Sequence, residues 1–183
     1  MRNELRRPAA ALAALILLVP ALAACGDDED TGGHTTHTTT TLAPEPAALE
    51  VDPEVMSTIE GRGTPTLQPV EGEVTELQVT DDVEGTGAEV TEGATVTAHY
   101  VGVVAESGEQ FDSSWERGEP TEFSLNSVIP GWSEGLVGMK VGGRRTLVIP
   151  GHMAYGSNPP PGAGIAPNET LLFTVDLVDV SWR

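Results

Sequence analysis

Between Val74 and Arg183 the apolar residues come in short runs at alternate positions, and Gly or Pro separates each run from the next. A period of two puts successive side chains on opposite faces of an extended chain, so these runs predict strands and the breaks predict turns. Thr95 to Val101 alternates in this way, and Arg144 to Ile149 is a compact strand. Leu171, Phe173, Val175 and Leu177 share one face of a final strand whose other face carries Thr174 and Asp176. One helix is predicted, over Pro130 to Val137, because proline suits a first helical turn and Trp132, Leu136 and Val137 fall on one side. Many strands and one short helix predict an α+β fold: a curved antiparallel sheet of about five strands, one face buried, wrapped around that helix.

The first 73 residues have a different texture. Arg2, Arg6 and Arg7 precede the apolar stretch Ala9 to Ala24, the layout of a secretory signal over residues 1–24. The stretch is short for a bilayer span, which takes about 20 residues. It ends in Leu22-Ala23-Ala24-Cys25, which resembles a bacterial lipobox. That resemblance implies a diacylglycerol on Cys25 and a mature chain held to the bacterial cell membrane on its extracytoplasmic side, since two acyl chains suffice for stable anchoring. Cys25 is the only cysteine, so neither an internal disulfide nor a cysteine zinc cluster is available.

Residues 25–73 are dominated by Thr, Pro, Gly, Asp and Glu. Such a segment buries too little apolar surface to offset the entropy of ordering it, and it is expected to be a disordered acidic tether. The folded domain is then expected over residues 74–183. His34 and His37 lack a third ligand in that tether, so no metal site is expected there. Over the whole chain 28 acids against 9 bases give a net charge of −19, which argues against a nucleic-acid partner.

Six motifs follow one another in the domain. They are Val96-Thr97-Ala98-His99-Tyr100-Val101-Gly102, Gly108-Glu109-Gln110-Phe111-Asp112-Ser113-Ser114 and Val128-Ile129-Pro130-Gly131-Trp132-Ser133-Glu134-Gly135-Leu136. Then come Met139-Lys140-Val141-Gly142-Gly143-Arg144-Arg145, Ala154-Tyr155-Gly156, and Ile165-Ala166-Pro167-Asn168-Glu169-Thr170-Leu171-Leu172-Phe173. In order and spacing they resemble the FKBP-type peptidyl-prolyl cis–trans isomerases across essentially all of residues 74–183.

The resemblance implies a shallow apolar pocket between helix and sheet. Trp132 would be its floor, with Tyr100, Phe111, Val128, Ile129, Tyr155 and Phe173 as walls, Asp112 at one side and Ile165 in a flanking loop. Asp112, Tyr155, Trp132 and Phe111 would carry the catalysis, and Tyr100, Val128, Ile129, Ile165 and Phe173 would bind substrate. It further implies X–Pro segments as substrates, macrolide inhibitors as ligands, a monomer, and no cofactor or metal. Taken by themselves, Phe111 and Phe173 read as core residues of alternating strands, and Asp112 reads as a turn cap beside Ser113 and Ser114. Arg117 either pairs with that acid or is a solvated charge, and His99 and His152 read as strand-surface or loop residues. No nucleophile elbow or triad spacing surrounds Ser113, Ser114, His99 or His152, so hydrolase chemistry has no support.

The chain departs from the family where Thr121 replaces a usual aromatic, which leaves one pocket wall open, in the connection 123–128, which is shorter than usual, and in the flap 156–166 with Pro159-Pro160-Pro161-Gly162. A peptide-binding or holdase module that has lost catalysis is therefore the alternative reading.

Overall fold

The structure, a computed structural model, describes residues 51–182. The signal segment 1–24, Cys25, His34 and His37 lie outside the described residues.

The sheet has six strands, all antiparallel: β1 (Gln78–Val83), β2 (Thr95–Val104), β3 (Gln110–Ser113), β4 (Thr121–Ser124), β5 (Arg144–Ile149) and β6 (Leu171–Ser181). Their order is β1-β5-β6-β2-β3, and β4 also pairs with β2. β2 is the spine: β6 runs along one edge from Thr95 to Val104, while β4 and then β3 share the other. All six residues of β1 are exposed, and this edge strand shows none of the alternation by which the other strands are read.

The concave face carries Val96, Ala98 and Tyr100 of β2, Leu147 and Ile149 of β5, and Leu171, Phe173, Val175 and Leu177 of β6. Against it packs the helix Pro130–Gly135, with Trp132 4% exposed and Leu136 fully buried. This helix is shorter than expected. It stops at Gly135, and Val137 lies outside it and is exposed, because Gly138 turns the chain at a φ of 80°.

The second face of the sheet is also covered, contrary to the expectation of one buried face. Val101, Val103, Val148 and Leu172, which alternate with the core residues, pack under Leu67, Val70, Val74 and Trp115. The covering segment belongs to the stretch expected to be disordered, and for residues 51–73 that expectation is corrected. It opens with a helix, α1 (Pro53–Arg62), whose first turn is capped by Asp52 accepting from Glu54 N–H at 2.8 Å and which ends at Gly63, φ 73°. Ile59 is the one α1 residue fully buried. Arg62 donates to Asp176 and to the Gly142 carbonyl, Arg144 donates to the Gly63 carbonyl at 2.8 Å, and Val70 N–H donates to Ala105 O at 2.8 Å. Thr174 and Asp176, expected to face water, are therefore buried.

Candidate functional site

Where the concave face meets the helix, a cavity of about 270 Å³ opens between Tyr100, Phe111, Asp112, Phe123, Ser127, Val128, Ile129, Trp132, Tyr155 and Phe173. Trp132 lies at its centre, with ring centroids of Tyr100, Phe123 and Phe173 at 5.5, 5.1 and 5.4 Å, each edge-to-face. Phe111 meets Phe173 the same way at 5.5 Å. Edge-to-face packing puts the positive rim of one ring on the negative face of the next and fixes the rings rigidly. Room for it depends on Gly102, where an added Cβ would come within 2.7 Å of Phe173 Cε1 and 2.8 Å of Phe111 Cζ.

One side of the cavity is polar. Tyr100 Oη donates to Asp112 Oδ2 at 2.5 Å, and Arg117 donates to Asp112 Oδ1 at 2.6 Å and to Tyr100 Oη at 2.8 Å. Burial alone would raise the Asp112 carboxyl; the hydrogen bonds from Tyr100 and Arg117 outweigh it and hold the group below the usual carboxylate range. Burial, then the bond to Asp112, pushes Tyr100 up to about 12. Burial and the charge of Asp112 also raise Tyr155. Arg117 and Asp112 are 45% and 41% exposed at their side chains, so this pair adds little stability and serves mainly to fix the two groups in place. Among the described residues neither Tyr155 Oη nor Ile129 N–H has a hydrogen-bond partner, which leaves two donors free at the cavity wall.

A larger depression of about 1090 Å³ lies between the 69–75 segment, Pro150 to His152 and the 166–170 loop, but no Tyr, Phe or Trp lines it. Among the described residues no group of three or more His, Cys, Asp or Glu is placed to hold a metal.

The family of FKBP-type peptidyl-prolyl cis–trans isomerases matches residues 87–178, just over half of the chain. The chain belongs to that family. Rotation about X–Pro peptide bonds is therefore the reaction of this isomerase. It is 52% identical to the FK506-binding protein of Streptomyces anulatus over 107 residues, 57% of this chain and 86% of that one. A probable FK506-binding protein of Corynebacterium glutamicum is 51% identical over 104 residues, 56% and 86% of the two chains. Among solved structures, FkpA from Escherichia coli matches with a TM-score of 0.54 at 38% identity, covering 69% of this chain and 56% of that one. A peptidyl-prolyl isomerase from Pseudomonas syringae pv. tomato matches with a TM-score of 0.53 at 30% identity, covering 70% and 92%.

Eight of the nine pocket residues expected from the resemblance line the cavity of about 270 Å³ together: Tyr100, Phe111, Asp112, Val128, Ile129, Trp132, Tyr155 and Phe173. Ile165 does not; it is 9% exposed and packs into the main core cluster beside the pocket. Phe123 lines the cavity and was not expected to. It follows Thr121 by two positions, so the two side chains share one face of β4, and its ring closes the wall that Thr121 leaves open. The alternation of Thr121 with Phe123 is the signal that identifies it. His99 is not a strand-surface residue: it is 2% exposed, under the cover of the second face.

Proposed function

We propose that this isomerase acts on X–Pro segments of secreted or cell-envelope proteins, held at the membrane by a lipid on Cys25. The observation that carries the catalytic reading is the aromatic cavity around Trp132, with two free donors on its wall. A planar X–Pro amide is slow to rotate because resonance gives its C–N bond partial double-bond character, with a barrier of about 18–20 kcal/mol for amides in general. In the twisted transition state that resonance is lost and the amide is less charge-separated. An apolar cavity therefore favours the twisted form over the planar one, and each 1.36 kcal/mol of that difference is worth about tenfold in rate.

In this reading the proline ring sits on Trp132 between Phe111, Phe123 and Phe173. Tyr155 Oη and Ile129 N–H hold carbonyl oxygens of the peptide so that rotation occurs on one side of the bond. Asp112 sets the polar edge, and neither a proton transfer nor a nucleophile is needed. Relatives named FK506-binding proteins support a macrolide of that kind as a ligand of the same cavity. Phe123 supplies the wall that Thr121 leaves open, while the flap 156–166 remains the ground for the non-catalytic alternative.

The anchor is supported by the lipobox-like Leu22-Ala23-Ala24-Cys25. Among the described residues no helix is long and apolar enough to cross a membrane. Two measurements test the proposal. The folded chain should accelerate isomerisation of a short X–Pro peptide, and a rate no faster than buffer contradicts the catalytic reading. Cys25→Ala should release the processed protein from the membrane fraction, and membrane association of the variant as a processed protein contradicts the anchor.

A further inference from the structure

The residues from Ser114 to Arg117 form a helix, α2, of a single turn, too short to hold an orientation by its own hydrogen bonds. Its last residue nonetheless places a guanidinium on both Tyr100 and Asp112 at the edge of the cavity. What fixes α2 lies at its other end. Ser114, fully buried, sits where β3 has turned into α2, opposite Tyr100. Its Oγ accepts from Tyr100 N–H at 2.8 Å and has a single proton for either Tyr100 O at 3.3 Å or His99 Nδ1 at 3.0 Å. The His99 ring stacks on Trp115, the next α2 residue, with centroids 4.4 Å apart.

We infer that Ser114 and His99 are positioning residues for prolyl isomerisation: from behind the cavity they clamp α2 to β2 and so set the Tyr100–Asp112–Arg117 group at its edge. The inference rests on the role proposed above for Asp112, and it gives two buried polar residues a task that no pocket contact accounts for.

A double-mutant cycle on the full chain tests it. Ser114→Ala is expected to lower kcat/KM for an X–Pro peptide by about tenfold, the loss of one buried hydrogen-bond partner. In an Asp112→Ala background the same change should cost less than about twofold, because the group it positions is already gone. A Ser114 that only stabilised the fold would cost the same in both backgrounds, and that result overturns the inference. Should Ser114→Ala not fold, the cycle is run with His99→Leu, which keeps the Ser114 hydroxyl and removes the imidazole that meets it and stacks on Trp115. A readout independent of turnover is the Tyr100 hydroxyl proton, held by Asp112 and followed by NMR. Its exchange with water should quicken in either variant, and unchanged exchange overturns the inference. A wild-type chain without activity contradicts the catalytic reading alone and leaves the hydroxyl exchange to decide the placement.

Discussion

Arg62, at the end of α1, donates to Asp176 Oδ1 at 3.3 Å across 114 residues of sequence, and Asp176 is fully buried on β6. The same carboxylate takes Arg144 Nε at 2.8 Å and Nη2 at 2.9 Å. A buried carboxylate is tolerated only when it is paired and hydrogen-bonded, so this cluster ties the cover of the second face to the sheet. Arg62→Ala leaves Arg144 in place and should lower stability by about 1.5–3 kcal/mol. Asp176→Ala leaves two guanidiniums facing each other and should cost about 3–5 kcal/mol. Urea unfolding measures both. A chain starting at Val74 lacks α1 and most of the cover, and should unfold at clearly lower denaturant than one starting at Val51, the first described residue.

That cover was the least legible part of the fold. Asp52-Pro53 and Gly63 are sound start and stop signals, but α1 buries only Ile59, so no apolar stripe distinguishes it from acidic spacer. β1 was invisible for the same reason, since neither of its faces is buried. The pocket was legible through the family motifs: Tyr100, Phe111, Asp112 and Phe173 lie on strands and Trp132 on the proline-led helix, while Val128, Ile129 and Tyr155 lie on turns where no period dictates a face. Ile165 is also a loop residue, and the fold of the flap sets its packing into the main core cluster.

Gly102→Ala should damage the cavity from behind. The new methyl meets Phe173 and Phe111 at under 3 Å, so both rings must shift. Overpacking of this kind costs about 1–3 kcal/mol, and kcat/KM should fall by about tenfold or more. Thermal unfolding together with an X–Pro peptide assay separates the two effects.

Phe123→Ala should reduce kcat/KM far more than Thr121→Ala. The first removes a ring 5.1 Å from Trp132 and 5.4 Å from Tyr100, while the second removes only a weak contact from Arg117 at 3.5 Å. Expected losses are about tenfold or more and about twofold or less. Similar losses in the two variants would put the wall at Thr121 instead.

The rate should not depend on pH from about pH 7 to pH 9, because no group at the cavity titrates there. Asp112 is held below its usual range and stays ionised, while Tyr100 keeps its proton up to about 12 and Tyr155 is raised as well. Burial lowers His99 behind them, which keeps it neutral over the same window. The raised Tyr100 fixes a sign for stability: its contribution is complete below the ordinary tyrosine value of about 10 and is lost as pH rises through its folded value. A bell-shaped profile centred in the neutral window would indicate acid–base catalysis and contradict a reaction driven by the cavity alone.

The central claim is that the aromatic hollow itself speeds rotation, and the most direct measurement is kcat/KM for an X–Pro peptide in wild type and Trp132→Leu, each shown to be folded by near-UV circular dichroism. Leucine keeps the floor apolar but breaks the ring contacts to Tyr100, Phe123 and Phe173. The account predicts a fall of about tenfold or more with the fold retained. A folded Trp132→Leu variant that turns over peptide at the wild-type rate would contradict it.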